Sequence, residues 1–384
     1  MFIDESLGGP PIEEELQDFE IFWHEHFDWL KDRGYLLRPR YRPGWVASWL
    51  GTDVLPSEFE DNQFRSTMVY LMDAIRIADG KPVMLRRADP PPSHELKVAR
   101  QLSTLRPETR NHCAPVYEIL TIPEAREDGR NQIIVMSFQV PWEDPDPDFG
   151  TVGEVVDFCS QVFEGLEYIH SLDMTHNDVK FNNIMMDWYP LYPDPPHSLC
   201  TSQRMDWKGP SKPRNRTLCP VKYHFIDWNL SRQWDLSAAN PPRLPSGYGG
   251  TPTVPEFKED QLCDPFAVDV YCLGNVIREK FTHGDSILEF PPRRNVEFLE
   301  ELTADMTQDD PTERPRMSEV VSRFAEIRKS LSWWKLRSRV SNKRIPLIFH
   351  RLYSPFHWIK QLSYIIRRIP AIPDYTRNKG YAEP

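Results

Sequence analysis

Apolar positions along this chain change period between its two halves. Residues 12–33 place Leu16, Phe19, Trp23, Phe27 and Leu30 at helical spacing, and Gly34 marks a stop. The following "LRPRYRPGWVASW" reads as an extended aromatic strap packed on the next domain. His24 and His26 fall on different sides of such a helix, which argues against a metal pair. Residues 64–88 read as strands, "FRSTMVYLM", "AIRI" and "PVMLRR", with a hairpin turn at Asp79-Gly80. Ser93 is placed to cap the helix "SHELKVARQLSTL". "CAPVYEIL" and "NQIIVMSF" add two more strands.

Helices dominate afterwards. Past the loop "PWEDPDPDFG", residues 151–172 line Val152, Val155, Val156, Cys159, Val162, Phe163, Leu166 and Ile169 along one face. Residues 187–222 hold seven Pro without periodicity and read as a mobile, solvated insertion loop. "HFIDWNLS" is a short apolar strand ending in Asp227, and "VDVYCLGNVIREKF" a central helix apolar on two sides. A strand-rich part before a helix-rich part predicts an α+β class, with two lobes joined by the loop after Phe138. The expected segments are a strap (1–60), a small β-rich lobe and hinge (61–142), a larger α-helical lobe (143–330) and a tail (331–384).

Charge changes this picture at one end. The chain carries −11 overall, which argues against nucleic-acid binding. Residues 331–384 carry +9, leaving −20 on the rest. The tail's "WWKLRSRVSNKRIPLIFHRLYSPFHWIKQLSYIIRRI" mixes aromatic, aliphatic and basic residues, with Pro355 expected to interrupt it. Two readings are open: packing on the acidic body, which is favoured, or an interfacial segment on an anionic membrane. The six Cys form no C-x-x-C pair, the N-terminus lacks a secretory h-region, and no run of 18 apolar residues occurs. An intracellular, monomeric protein is expected.

The candidate chemistry begins at "HNDVKFNN", residues 176–183, which sets His176, Asp178, Lys180 and Asn183 within eight positions. Further on come Asp227 of "DWN", Glu256 of "VPE", Asp269 of "DVYCLG" and Arg314 of "DDPTERP". In this order and spacing the set resembles the protein-kinase landmarks H-R-D-x-K-x-x-N, D-F-G, A-P-E, D-x-x-x-x-G and the late Arg. The chain is similar to a divergent kinase-like family abundant in fungi. That resemblance implies a bilobal kinase-like fold and transfer of the ATP γ-phosphoryl group to a protein Ser/Thr hydroxyl. It assigns Asp178 as catalytic base, Lys180 as the cation at the moving phosphoryl group, and Asn183 and Asp227 as Mg²⁺ ligands. It implies nucleotide contacts for Met84, Arg86, Glu95 and Met136, a buried bidentate pair of Glu256 with Arg314 that fixes the substrate-side loop, and structural roles for His176, Trp228 and Asp269.

Several positions depart from the pattern. "EDNQFRSTM" has no Gly where a phosphate-covering loop would be. Arg86 stands for the Lys that would pair with Glu95, and Met84 for a small residue over adenine. D-F-G has become Asp227-Trp228-Asn229, and Trp228 is expected to fill the space beside Ala99. Asn177 replaces the Arg that would bind a phosphorylated activation loop, so residues 228–253 are expected to order without phosphate. The alternative function is therefore a pseudokinase scaffold with impaired nucleotide binding; a small-molecule kinase fits less well.

Overall fold

The computed structural model describes residues 15–64, 68–90, 93–104, 109–124, 128–143, 148–259, 261–285 and 290–377. Residues 12–14 of the first expected helix and 65–67 of the first expected strand lie outside this set. The chain forms two compact units. One comprises residues 1–90, 115–140 and 192–212, the other 91–114, 141–191 and 213–384. The stretch 91–114 thus groups with the helix-rich part, and 192–212 with the strand-rich part. The fold combines a small antiparallel sheet with many helices, compatible with an α+β class.

The first unit is built on β1 (Tyr35–Leu37), β2 (Leu71–Arg76), β3 (Pro82–Arg87), β4 (Val116–Thr121) and β5 (Gln132–Ser137). They form one antiparallel sheet in the order β1-β2-β3-β5-β4. Strand side chains alternate between faces. Val83 and Leu85 of β3, opposite Ala74 and Met72 of β2, therefore share a face with Ile133 and Val135 of β5. That face is buried beneath Phe22, Trp23, Phe27 and Leu30, with Tyr35, Leu37 and Tyr41 in the same core. Burial of each such side chain stabilises by about 1.5–3 kcal/mol, so the N-terminal segment is part of the domain. The expected single helix is two, α1 (Asp18–Glu25) and α2 (Phe27–Asp32), broken at His26. His26 Nδ1 hydrogen-bonds the Phe22 carbonyl at 2.7 Å, taking a side-chain partner at the break.

The strap that follows is fixed by buried charge. Arg40 is fully buried and forks onto Glu20, with Nε–Oε1 and NH2–Oε2 both 2.7 Å. It also donates to the Asp61 carbonyl at 2.9 Å and lies over the rings of Trp45 and Phe64. A bidentate, fully hydrogen-bonded pair is the form in which buried charge is tolerated.

The insertion is not the solvated loop expected from its composition. Within the first unit, Ser198 Oγ donates to Asp73 of β2 at 2.7 Å. His197, fully buried, sits 3.3 Å from Glu60, and Trp207 Nε1 donates to the Glu58 carbonyl at 2.8 Å. In the second unit, Arg216 donates to the Trp142 carbonyl at 2.5 Å and to Tyr223 Oη at 2.8 Å, while Thr217 N–H reaches Glu154 at 2.9 Å. Anchoring by isolated long-range hydrogen bonds leaves no periodic mark in a sequence.

The second unit is organised by α4 (Val152–Ser171), whose N-cap Thr151 accepts from the Glu154 N–H at 3.2 Å. Against it pack α7 (Met317–Ser330) and α8 (Trp333–Arg337), and the unit also contains α3 (Glu95–Thr104), α5 (Pro265–Ile277), α6 (Glu300–Met306) and α9 (Leu347–Ile366). Gln161 of α4 donates to the Val221 carbonyl at 3.1 Å and accepts from Tyr223 N–H at 3.0 Å. It thereby holds the strand Tyr223–Phe225, which pairs antiparallel with Ile184–Asp187. The tail packs on this unit. Val152 N–H donates to the Ser338 carbonyl at 3.0 Å, and a Cβ on Gly153 would lie 1.9 Å from the Ala371 carbonyl oxygen. Pro355 does not interrupt the tail: α9 runs through it.

Candidate active site

The segment after α4 folds as it does because one carboxylate captures its backbone. Asp269, wholly buried in α5, accepts the His176 N–H through Oδ2 and the Asn177 N–H through Oδ1, each at 2.8 Å. His170 of α4 adds a third contact to Oδ2 at 3.1 Å. Asn177 adopts a left-handed backbone, φ 64°, which Asn tolerates better than most residues. His176 Nδ1 accepts from the Asp178 N–H at 3.2 Å, which makes Nε2 the protonated nitrogen; it donates to the Ile226 carbonyl at 3.0 Å.

Three of the expected chemical residues converge on this loop. Asp178 Oδ1 contacts Lys180 Nζ at 2.6 Å and accepts the Gly250 N–H at 3.0 Å. Asn183 Nδ2 donates to Asp178 Oδ2 at 2.8 Å and to the Asp178 carbonyl at 2.9 Å. The amide nitrogen is thus turned inward, which points Asn183 Oδ1 the other way. Asp227 follows Ile226, whose N–H donates to the Asn183 carbonyl at 3.0 Å and whose carbonyl accepts a hydrogen bond from His176 Nε2. One residue therefore separates Asp227 from direct ties to both Asn183 and His176. Its backbone is left-handed, φ 65°, an unusual geometry for Asp.

The structural residues of the motif also meet. Glu256 and Arg314 form a buried fork, with NH1–Oε1 2.9 Å and NH2–Oε2 2.6 Å. Arg314 further donates to the carbonyls of Ala267 and Gln308 and lies over the Tyr271 ring. Trp228 is buried, with its ring centroid 4.7 Å from that of His176, and Ala99 is buried as well.

The start of the 228–253 segment is tied to the loop by side-chain hydrogen bonds. Asn177 Nδ2 donates to the Leu230 carbonyl at 2.8 Å, and Ser231 Oγ to the His176 carbonyl at 3.0 Å. Trp234 Nε1 donates to Thr175 Oγ1 at 2.9 Å. At Gly249 a Cβ would fall 2.2 Å from the Asn177 carbonyl oxygen, so only glycine allows this approach. Sequence reasoning missed Gly249, Gly250, Ser231 and the Asn177 side chain as site-forming. The doubled glycine of "GGTPT" was the available signal.

The residues expected to contact nucleotide fall in different units, Met84, Arg86 and Met136 in the first and Glu95 in the second. Met84 and Met136 are direct cross-strand partners on β3 and β5, and Arg86 shares their face two residues on. All three are half-buried, and Arg86 lies 3.8 Å from Asp89. Asp73, opposite Met84 on β2, receives Ser198 of the insertion and lies 3.4 Å from Arg38, so 192–212 reaches the same face. Glu95 opens α3 and is buried; its N–H donates to Ser93 Oγ at 3.2 Å, the expected cap.

No protein-family model matches this chain, and no curated protein is significantly similar to it.

Proposed function

We propose that the chain is a kinase-like phosphotransferase of bilobal fold, acting with ATP and Mg²⁺ on a protein Ser/Thr hydroxyl. The observation that supports this reading best is the cluster Asp178–Lys180–Asn183–Gly250 on a loop pinned by Asp269. In such a reaction a substrate hydroxyl gives its proton to Asp178 as its oxygen bonds to the γ-phosphorus and the bond to the ADP oxygen breaks. Lys180, already beside Asp178, supplies positive charge to the transferring group. Glu256 and Arg314 hold the loop that would position the substrate chain.

The donor set suits a hard ion. Asn183 Oδ1 and the Asp227 carboxylate are oxygen donors, and two protein oxygens are typical where Mg²⁺ arrives with phosphates and keeps waters. Among the described residues no group of three or more His, Cys, Asp or Glu could hold a metal. When bound, the ion would neutralise phosphate charge.

A second reading, a scaffold with impaired nucleotide binding, draws on the first unit. Met84 is bulky, Arg86 lies near Asp89, and Asp73 brings a carboxylate and the insertion to the same face. Thermal shift with Mg·ATP separates the two. Nucleotide at 100 times its dissociation constant should add about 2.7 kcal/mol. A shift abolished by Asp227→Ala, with phosphate transfer to a generic protein lost in Asp178→Asn, supports the enzyme. No shift at millimolar nucleotide overturns it and leaves the scaffold.

A further inference from the structure

Helix α9 is mounted the wrong way round for a helix that faces water. At 3.6 residues per turn, His350, Ser354, His357 and Gln361 fall on one side of Leu347–Ile366. That polar side is the one turned to the protein. His350 hydrogen-bonds Ser341 Oγ at 2.9 Å, and His357 Nε2 donates to the Arg337 carbonyl at 2.7 Å. Gln361, buried, accepts from the buried Arg337 at 3.2 Å, and Arg337 also donates to the Ile369 carbonyl at 2.5 Å. The opposite side carries Ile348, Leu352, Phe356, Ile359, Leu362 and Ile366, spanning about 120° of the helix. All six are exposed, Phe356 at 72% and Ile366 at 82%. A surface helix normally buries its apolar stripe and wets its polar one. Exposed apolar patches of this extent mark an interaction surface.

Charge identifies the occupant. Residues 331–373 contain nine Lys/Arg and no Asp/Glu. Arg344, Lys360, Arg367 and Arg368 are exposed in or beside α9. A second copy seated face to face would oppose two cationic rims, a like-charge arrangement that interfaces avoid. An anionic lipid surface satisfies both features: acyl chains receive the apolar stripe while phosphate and carboxylate headgroups meet the Lys/Arg rim. We propose that α9 is a membrane-interfacial helix that seats this protein on anionic phospholipid through its outward apolar face. Because its polar side is hydrogen-bonded to the protein, the helix lies along the surface and does not cross it. Of the two sequence readings of the tail, packing and membrane contact thus belong to opposite sides of one helix.

The test is vesicle flotation of the full chain with phosphatidylcholine alone or mixed with phosphatidylserine. The expected result is at least tenfold preference for the anionic vesicles, falling with salt. Arg367→Glu with Arg368→Glu should weaken binding more than about fivefold per residue, the effect of removing one basic charge near such a surface. Phe356→Glu with Ile359→Glu should abolish binding while circular dichroism and the melting temperature stay at wild-type values, because both side chains are exposed. Equal flotation with neutral vesicles overturns the electrostatic assignment. Absence of flotation overturns the proposal, and a dimer in sedimentation that Phe356→Glu dissociates would replace the lipid by a second copy.

Discussion

Replacement of Asp269 by Asn tests whether a single carboxylate sets the shape of the candidate active-site loop. Asp269 accepts two backbone N–H groups at 2.8 Å through different oxygens. Asn offers one acceptor oxygen and sets an NH₂ donor against the other N–H. Hydrogen bonds to a charged acceptor contribute about 1.5–3 kcal/mol, and a buried donor left unmade costs about 1–3 kcal/mol. The lost bond and the orphaned N–H are one event, so the expected cost is about 2–4 kcal/mol. With a urea slope near 2–3 kcal/mol per molar, the midpoint for the second unit should fall by about 1 M. Tryptophan fluorescence can follow this, since Trp228 lies beside His176. Hydrogen exchange supplies the local readout: the amides of His176 and Asn177 should lose protection before the rest of the unit. An unchanged midpoint together with full protection of those two amides would refute the reasoning.

Other substitutions probe neighbouring claims. Glu256→Ala leaves Arg314 charged and buried without its fork, and should cost about 3–5 kcal/mol in chemical denaturation. Gly249→Ala forces a methyl group toward the Asn177 carbonyl and should cost about 1–3 kcal/mol, with any nucleotide response weakened as the Gly250–Asp178 bond shifts. Asp157 in α4 is pushed up to about 8, chiefly by burial, and its neighbour Gln161 donates to it at 3.1 Å. The folded state therefore holds a proton that the unfolded chain releases near pH 4, so this group's contribution falls as pH rises from about 4 to about 8, by at most about 1.4 kcal/mol per unit. Asp157→Asn should remove that slope; melting temperatures across pH 5–8 that stay parallel to wild type would contradict the assignment.

The legible parts of this chain were those where a local period meets a buried surface. The alternation in "PVMLRR" placed Val83 and Leu85 inward and Met84 and Arg86 on the other face, and the 3.6-residue pattern of 151–172 gave α4 almost to the residue. The spacing in "HNDVKFNN" likewise set Asp178, Lys180 and Asn183 close enough to meet, because the six residues 178–183 form a tight loop that returns on itself. Asp79-Gly80 and Ser93 were readable for the same reason, since turns and caps depend on a few adjacent residues.

Only the tertiary structure could bring Asp269 under the loop, Gly250 onto Asp178, or Ser198 onto Asp73, whereas the fork of Arg314 on Glu256 was expected from the motif spacing. Each of the first three joins residues far apart in the chain through one to three hydrogen bonds, with no repeat to announce it. The tail makes the distinction most plainly. Sequence determined that α9 has an apolar side and a polar side, since that follows from composition and helical pitch alone. Which side faces out was decided by Arg337, Ser341 and the carbonyls that satisfy its polar groups, because buried polar atoms must find partners wherever the fold supplies them.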